Sequence, residues 1–377
     1  MSYALTEEQL LIGQSARDFA KEYIDPIVVD MDHTSEFPAK VVKGMAEHEM
    51  FGLFLPGEYG GAEAGFVAFI EAIEMISRSS AAVANILLNH AVAAYAIEHW
   101  GTTEQKKYLP SLAKGDTLAA LAIYENGPTP GIGPDALVAK KQPEGYVLNG
   151  VKAYVRNAGV ANVYVVLATT DPESLGKAMT AFVVDAKAVG LKVGEVKETM
   201  GLRGCPVADL TFENVVLPES AVLGKVDGGA KLAAETLAVL SLGEAAETVG
   251  IGQAAVEHAA AYSKTRVQFG KPVSTLQAIQ TMLAEVATDA HVARLALRYA
   301  AGLFEEGKPF ETEAAMVKQF LARFGSKMLL DTCQVEGGFG YSEFMPLPRL
   351  FRDIAGTNLL EAPADFPDKT IAAALLA

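Results

Sequence analysis

The chain has 377 residues, of which half are hydrophobic and a fifth are charged, so its composition is that of a folded globular protein and not of a disordered or fibrous one. Acidic residues outnumber basic ones by 46 to 31, and the formal net charge of −15 argues against nucleic acid or an anionic membrane surface as a partner. The two cysteines, Cys205 and Cys333, exclude a disulfide framework and favour a reducing, cytoplasmic location.

The first third of the chain has a helical period. The opening residues lack the basic and apolar regions of an export signal, and Thr6 is predicted to cap the first helix. The most apolar stretch, Ala81–Trp100, contains polar residues such as Asn85 and His90, which a lipid-facing helix tolerates poorly. We therefore predict a helical unit over residues 1–121 in which this stretch is a buried core helix.

The middle of the chain changes to short β-branched runs. Tyr146–Leu148 leads into Asn149-Gly150, a dipeptide typical of hairpin turns, and Val151–Val155 follows. Further runs are Val163–Ala168, Met179–Val184 and Leu210–Val216. These patterns predict an antiparallel β unit over residues 122–225.

Long alanine-rich helical segments return in the last part of the chain. They are Ala230–Ser263, Thr275–Glu306 and Glu311–Gln334. Their length and spacing predict a helix bundle over residues 226–377. The fold class is thus α+β, in the order helical, β, helical, whereas a doubly wound nucleotide fold would alternate strands and helices.

The common short catalytic motifs are absent from the sequence. It has no H-E-x-x-H, Walker or G-x-S-x-G string, and its six histidines have no metal-like spacing, so no metal site is predicted. Two G-x-G-x-x-A strings occur, at Gly250–Ala255 and Gly131–Ala136. The first lies inside a predicted helix and the second contains Pro134, so neither is predicted to bind a dinucleotide.

Five longer strings resemble the acyl-CoA dehydrogenase family. They are Met200–Cys205, Leu210–Pro218, Arg266–Pro272, Gln334–Tyr341 and Arg349–Asp353. Their order and spacing agree with that family, as does the opening Leu5–Gln9, and the resemblance covers nearly the whole chain. It implies an acyl-CoA dehydrogenase-like fold, with an N-terminal α-helical domain, a middle antiparallel β domain and a C-terminal four-helix bundle.

The resemblance also implies a reaction, the FAD-dependent oxidation of an acyl-CoA thioester between Cα and Cβ. Counting on from Arg352-Asp353 places the family's catalytic carboxylate at Glu361, which would remove the α-proton. Apolar neighbours surround Glu361 in the sequence and would raise its pKa, as a base for so weak an acid requires. The plain alternative is a loop glutamate after a helix. A second base position of some subgroups holds Leu240 here.

By the same resemblance, a set of residues is expected to contact FAD. They are Ile123 and Tyr124 on a loop, Tyr154, Val155 and Arg156 on a strand, Arg266, Gln268 and Phe269 on the pyrophosphate side, and Gln334, Gly337 and Gly338 reaching a neighbouring subunit. The acyl group is expected to meet Asn85, Leu88, Glu244 and Leu360. For Glu244, a solvated or inter-subunit carboxylate is an equal alternative.

Several positions depart from the family pattern. The loop from Tyr124 to Asp135 is longer than usual, and Arg156 stands where a small hydroxyl residue normally lies beside flavin N5. Pro363 follows the expected base where the family has a hydroxyl residue, and Ser241 replaces an arginine on the CoA side.

These departures leave three interpretations. In the first the protein is an acyl-CoA dehydrogenase in which Arg156 pairs with a polar or carboxylated acyl group or stabilises reduced, anionic flavin. In the second it is a subunit of a hetero-oligomer whose paralogue completes the flavin site. In the third it is a non-catalytic binding or assembly protein. The intact Glu361, Arg266 and Gln334–Gly338 favour the first.

The resemblance further implies partners. A homotetramer is expected, with a hetero-oligomer as the alternative, and electron-transfer flavoprotein is expected to accept the electrons. No nucleic-acid or membrane partner is predicted.

Overall fold

The computed structural model describes residues 4–127, 131–133, 135–359 and 366–376. The first helix begins at a capping box, because Thr6 Oγ1 accepts a hydrogen bond from the Gln9 amide and Gln9 Oε1 accepts one from the Thr6 amide. The prediction for Thr6 is thus confirmed. The helices of this unit are α1 (Glu7–Phe19), α2 (Val28–Thr34), α3 (Ala39–Glu47), α4 (Phe66–Ser77), α5 (Ala81–Trp100) and α6 (Leu109–Ala113).

Helix α5 is the core helix of this unit, as the sequence predicts. Within the described residues it is the one helix whose length and composition would suit a membrane span, but 94% of its most apolar window is buried inside the protein. Its polar side chains have partners: His90 Nε2 donates to Leu112 O and His90 Nδ1 accepts from the Ala119 amide. Burial lowers the pKa of His90 to about 4, so this histidine is neutral.

The β unit is one sheet of eight strands among the described residues. The strands are β1 (Ala119–Ala122), β2 (Val138–Gln142), β3 (Gly145–Arg156), β4 (Val163–Thr169), β5 (Met179–Asp185), β6 (Leu191–Val193), β7 (Val207–Pro218) and β8 (Val222–Leu223). Their order is β6-β7-β3-β2-β4-β5-β8, with β1 paired to β4. Most pairs are antiparallel as predicted, but β1 and β2 pair with β4 in parallel, so the sheet is mixed. Strand β1 extends across residue 121, where the sequence predicted the boundary between the helical unit and the β unit.

The hairpin predicted at Asn149-Gly150 is wrong. Strand β3 runs straight through the dipeptide, and its register against β7 shifts between Leu148 and Gly150. Gly150 has φ +136°, and a Cβ at this position would overlap the backbone of Ala136. Asn149 Oδ1 accepts from the Asn214 amide of β7 at 2.8 Å. A flexible glycine and a short polar side chain here make a β-bulge and not a turn.

The last unit confirms the three long predicted helices. It contains α7 (Gly229–Thr265), the short hairpin β9 (Val267–Gln268) and β10 (Lys271–Pro272), α8 (Gln277–Glu305), α9 (Glu311–Glu336), α10 (Leu347–Leu359) and α11 (Phe366–Leu376). Helix α7 is central, since it packs against α4 and α5 of the first unit and against α8, α9 and α10 of its own.

The glycine string in α7 is a packing motif, consistent with its place inside a helix. A Cβ on Gly250 would overlap the backbone oxygen of Glu74 in α4. Glycine therefore lets the two helix backbones come together at this crossing.

A buried ion pair fastens the loop after β1 to the sheet. Lys152 of β3 is fully buried, and its Nζ donates to Glu125 at 2.5 Å and to Ile123 O at 3.0 Å. The Glu125 carboxylate also accepts from the amides of Gly131 and Leu137. Burial lowers the pKa of Lys152 to about 8, against the opposing effect of Glu125. One carboxylate thus collects three donors and fixes the path of the loop.

We expect Gly250→Ala to destabilise the protein by about 1 to 3 kcal/mol, because the added methyl group overpacks the α4–α7 crossing. Thermal unfolding measures this as a lowered midpoint. Gly302→Ala in α8 is the matched control: among the described residues, nothing beyond the adjacent helix backbone lies within 4 Å of a Cβ built there. Alanine at this position should stabilise the helix by up to about 1 kcal/mol. A Gly250 variant as stable as the control would contradict the close crossing.

We expect Glu125→Ala to lower the free energy of unfolding by about 3 to 5 kcal/mol, because it leaves the buried Lys152 ammonium without its anionic partner. The control is Glu213→Ala, which breaks a Lys–Glu pair whose side chains are about half exposed and should cost about 0 to 1 kcal/mol. Denaturant unfolding of both variants makes the comparison. Equal small losses would show that Lys152 does not depend on Glu125.

Candidate functional site

A narrow pocket lies where β3 and the residues around β1 meet α5 and α7. We call it the ring pocket. It is lined by Asn89, Leu121, Ile123, Tyr124, Ala153, Tyr154, Val155, Arg156, Leu237 and Leu240. The free volume is about 10 Å³, roughly what one water molecule needs. Five residues predicted to contact FAD therefore come together here, and Leu240 supplies an apolar wall in place of a second base.

A bulge in β3 decides which side chains face the ring pocket. The register of β3 against β7 shifts between Lys152 and Val155, and Tyr154 has φ +54°. The Tyr154 amide is held by Asp209 Oδ1 at 2.9 Å, while its ring is nearly half exposed beneath Lys197 Nζ. Bulges often re-aim side chains beside functional sites, and here the two residues after Tyr154, Val155 and Arg156, are buried.

Arg156 is a buried cation on the wall of the ring pocket. It is 3% exposed, and its Nη1 donates to Asn85 Oδ1 of α5 at 2.8 Å. The next residue, Asn157, donates from Nδ2 to Ile86 O of the same helix at 2.9 Å. Two neighbouring hydrogen bonds thus attach the end of β3 to α5, so Arg156 and Asn85, predicted separately, form one unit.

The predicted acyl residues Leu88 and Glu244 lie on facing helices. A Cβ on Gly243 of α7 would overlap the Leu88 side chain of α5, so the helices are in close contact there. Glu244 is buried, and its Oε2 accepts from Lys318 Nζ of α9, which also donates to Thr357 O of α10. Glu244 is therefore not a solvated carboxylate in this chain. Of the roles left open by the sequence, a substrate contact and an inter-subunit carboxylate remain.

Tyr124 and Glu244 form a polar end to this region. Among the residues that the structure describes, neither Tyr124 Oη nor Glu244 Oε1 has a hydrogen-bond partner, although both atoms are buried. Burial raises the pKa of Tyr124 well above its ordinary value, and the nearby Glu244 carboxylate raises it further. A ligand group that reaches this end of the region would meet a buried donor and a buried acceptor.

A second, larger cavity of about 530 Å³ lies beside the C-terminal helices. We call it the nucleotide groove. It is lined by Tyr262, Arg266, Gln268, Val273, Gln334, Val335, Glu336, Gly337, Gly338, Phe339, Ser342 and Phe344. The Arg266 guanidinium lies 5.6 Å from the centre of the Phe339 ring. Five further residues predicted to contact FAD meet in this groove.

An acid–base pair of a buried carboxyl group and a partly exposed histidine lies beside the nucleotide groove. Glu336 is 3% exposed, and its Oε1 lies 3.2 Å from His258 Nε2 of α7. Burial raises the pKa of Glu336 to about 7 and lowers that of His258. Glu336 immediately precedes Gly337, whose φ of +61° favours glycine.

The structure places the predicted FAD-binding residues in two cavities, and this grouping differs from the one that the family resemblance implies. Arg266 and Gln268 lie in the same groove as Gln334, Gly337 and Gly338, whereas the sequence interpretation gave only the last three to a neighbouring subunit's cofactor. Phe269 is 87% exposed and outside the groove lining. The predicted base Glu361 and the predicted acyl contact Leu360 lie outside the described residues.

Sequence reasoning missed several buried charged residues of the site. They are Glu125, Lys152, Glu247, Lys318 and Glu336. One signal was present: between Leu237 and Gly252 the only charged residues are Glu244 and Glu247, in an otherwise uncharged helical stretch. Such isolated carboxylates on an apolar helix indicate buried partners.

The two cavities fit the two halves of FAD in their chemistry. The nucleotide groove offers a guanidinium and two side-chain amides for a diphosphate. In the described part of the chain, nothing lies within 4 Å of a Cβ built on Gly337 or Gly338. The ring pocket has apolar walls and one cation. Its volume is far below the 300 Å³ or more typical of a ligand pocket, so lining side chains must move to admit an aromatic ring.

Comparisons with known proteins agree along the whole chain. Models of the acyl-CoA dehydrogenase N-terminal, middle and C-terminal domains match residues 6–116, 131–215 and 227–376. An acyl-CoA dehydrogenase of Bacillus subtilis is 40% identical over 95% of both chains. A 3-(aryl)acrylate reductase of Clostridium sporogenes is 37% identical over 98% of this chain and 99% of the relative.

A solved structure gives the same result for the fold. Butyryl-CoA dehydrogenase from Megasphaera elsdenii superimposes with a TM-score of 0.96 and 31% identity over all of both chains. The fold expected from the resemblance is therefore confirmed. Three family models in order, relatives matched end to end and this structural likeness show that the chain belongs to the acyl-CoA dehydrogenase family, the FAD-dependent oxidoreductases that act on CH–CH bonds of acyl-CoA thioesters.

Proposed function

We propose that this acyl-CoA dehydrogenase acts on a thioester whose acyl group carries a carboxylate, and that Arg156 binds that carboxylate. The observation that carries the proposal is a guanidinium that is 3% exposed on the wall of the ring pocket. A guanidinium carries several N–H donors in one plane and can bind a carboxylate through two of them. A carboxylated acyl group presents such a carboxylate near the reacting end of the substrate.

We assign the α-proton to Glu361 within this proposal. Removing a proton next to a thioester requires a base in an apolar setting, and Leu359, Leu360, Ala362 and Pro363 flank Glu361 in the sequence. Helix α10 ends two residues earlier, and its Thr357 carbonyl is tied through Lys318 to Glu244. The last turn of α10 is therefore joined through Lys318 to the carboxylate that raises the pKa of Tyr124 in the ring pocket, which supports Glu361 as the base.

The remaining residues bind and position the ligands. FAD, when bound, supplies the acceptor for the β-hydrogen, which leaves as hydride. Arg266, Gln268 and the Gln334–Gly338 segment would hold the diphosphate side, while Ile123, Tyr154 and Val155 would face the ring. Leu88, Asn85 and Glu244 would line the path of the acyl group. The exclusion of water by the apolar walls favours proton removal by a carboxylate.

The proposal extends to assembly, location and electron transfer. Within one chain the nucleotide groove and the ring pocket share no lining residue. This supports an oligomer in which the groove of one subunit completes the cofactor site of another, and we propose a homotetramer. Electron-transfer flavoprotein is the proposed acceptor of the electrons. Cys205 and Cys333 are both free, which supports a cytoplasmic location.

The reverse reaction is a second candidate. A relative that is 37% identical over almost its whole length is named a 3-(aryl)acrylate reductase. A site that removes a proton and a hydride also delivers them by the same path, so this chain would then reduce an α,β-unsaturated acid derivative. The ratio of forward and reverse rates at known redox potentials of the acceptor decides between the two directions.

The direct test of the proposed function is optical. Anaerobic addition of glutaryl-CoA to the FAD-loaded protein should bleach the flavin absorbance, and butyryl-CoA should do so at higher concentration because it lacks the carboxylate. A flavin-free preparation that stays colourless after FAD is supplied would contradict the proposal.

We expect Glu361→Gln to keep acyl-CoA binding but to lose turnover by roughly 10²- to 10⁴-fold, because the amide cannot accept the α-proton. Rapid-mixing measurement of flavin bleaching gives the rate, and titration calorimetry gives the affinity. Glu343→Gln, at an exposed glutamate just before α10, is the control and should retain the normal rate. Near-normal turnover in Glu361→Gln would place the base elsewhere.

We expect Arg156→Thr to raise KM for glutaryl-CoA about 10- to 100-fold relative to butyryl-CoA, since it removes a charge-assisted hydrogen bond. Arg156→Lys keeps the charge and should lose less. Steady-state kinetics on both thioesters measure the ratio. An equal loss on both substrates would instead assign Arg156 to the cofactor.

A further inference from the structure

The last residue of α9, Glu336, places a buried carboxyl group in the lining of the nucleotide groove. Its side chain is wholly buried, and within the described part of the chain neither of its oxygens has a hydrogen-bond partner. Buried carboxyl oxygens in folded proteins are normally hydrogen-bonded, since water cannot reach them. The groove therefore contains acceptor capacity that the proposed function does not use.

An ionisable neighbour of this carboxyl group is His258 of α7. The atoms His258 Nε2 and Glu336 Oε1 lie 3.2 Å apart but lack the alignment of a hydrogen bond. About a third of the imidazole is exposed, so protons can exchange with solvent here. A neutral carboxyl group beside a neutral imidazole has the same net charge as a carboxylate beside an imidazolium. The pair therefore becomes negative only when its shared proton leaves.

The surroundings of Glu336 disfavour that negative charge. Glu336 is the C-terminal residue of a helix of 26 residues, where the helix dipole opposes an anion. Burial raises the pKa of Glu336 to about 7 and lowers that of His258. The other titratable groups around this carboxyl group are Tyr262 of α7, Arg266 at the end of α7 and Cys333 of α9. Burial and the nearby Glu336 raise the pKa of the Cys333 thiol, which stays neutral at pH 7.

A diphosphate in the nucleotide groove would meet both this pair and the Arg266 guanidinium. Its negative charge is favoured beside Arg266 and disfavoured beside an ionised Glu336, and salt screens charges poorly over the width of one groove. A bound diphosphate therefore makes the pair hold its proton to higher pH. Because such coupling is reciprocal, the proton also strengthens the binding of the diphosphate.

We propose that the nucleotide groove binds the diphosphate of FAD together with a proton, which the Glu336–His258 pair carries, so that Glu336 is a determinant of cofactor affinity. The inference rests on the proposed function, which assigns the diphosphate side of FAD to Arg266, Gln268 and Gln334–Gly338. It accounts for a buried carboxyl group at a place where an anion has to bind.

Release of FAD from the holoenzyme tests the proposal. The protein is diluted at pH values from 6.5 to 8.5, and the flavin fluorescence that appears gives the dissociation constant. In wild type this constant should rise about five- to tenfold over the range, if the diphosphate increases the proton affinity of the pair about tenfold. The diphosphate itself stays fully ionised throughout. In Glu336→Gln the constant should not change with pH, whereas Glu257→Gln, at an exposed glutamate beside His258, should follow wild type.

A second measurement needs no cofactor. A carboxyl group that binds its proton more tightly in the folded state stabilises the fold at low pH, and this stabilisation is lost as pH rises from about 4.5 to about 7. Glu336→Gln lacks this loss, so its unfolding midpoint relative to wild type should increase from pH 5 to pH 7 and level off above. If the Gln variant does not fold, Glu336→Leu, which removes both acceptors, serves for both measurements with the same expectation.

Arg266→Gln separates this inference from the proposed function. This variant should weaken FAD binding at every pH. If it binds FAD as tightly as wild type, the groove does not hold the diphosphate, and the cofactor assignment in the proposed function fails together with the inference. If it weakens binding but the wild-type constant is flat over pH, or the pH dependence persists in Glu336→Gln, the inference alone is overturned. A stability difference that does not change with pH also overturns it, because Glu336 then does not titrate in this range.

Discussion

The burial of α7 is the constraint on which the rest of the site depends. This helix of 37 residues packs against five other helices, and its middle section from Leu237 to Gly252 is buried throughout. Every polar group placed there needs an internal partner, because water cannot supply one. The partners come from different units of the chain: Asn85 from the first and Lys318 from the last. The same burial requires glycine where α7 crosses α4.

Strand β3 brings the middle unit into this arrangement. Its second bulge leaves Tyr154 half exposed, and Arg156 and Asn157 two and three residues further on bond to α5. The first bulge, at Gly150, lets β3 pass close to the loop after β1. The second bulge therefore precedes the part of β3 that lines the ring pocket, whereas the first sets the close approach of β3 to Ala136.

Much of the fold follows from local sequence, and the exceptions have physical reasons. The segment Ala230–Ser263 is predictable as a helix because alanine and leucine recur in it without a proline, and Thr6 is predictable as a cap from its own side chain. The Asn149-Gly150 dipeptide misleads, since a bulge and a hairpin turn both need glycine at positive φ. Only pairing with Asn214, far along the chain, distinguishes them. The parallel pairing of β1 with β4 could not be predicted from a local sequence pattern either, because the two strands are far apart in the chain.

Many residues of the candidate site were predictable from the sequence, but the hydrogen bonds that join them were not. Resemblance pointed to Arg156, Asn85 and Glu244 separately, yet the residue that joins the first two to α7, Glu247, is 162 positions from Asn85. Its partner is an uncharged amide, so no charge pairing in the sequence indicates the contact. Whether Glu361 acts as the base stays a prediction of the sequence register, because it lies outside the described residues.

The buried lysine beneath the loop has a consequence for observing this protein. A lysine with a pKa of about 8 is partly an uncharged, nucleophilic amine at neutral pH, but Lys152 is fully enclosed by Glu125 and Ile123. An amine-reactive reagent can reach it only when the segment carrying Glu125 detaches from the sheet. The rate of labelling at Lys152 would therefore measure how often this segment opens. A ligand that slows the labelling would show that it holds the neighbouring pocket closed, and no optical signal from a cofactor is needed for this measurement.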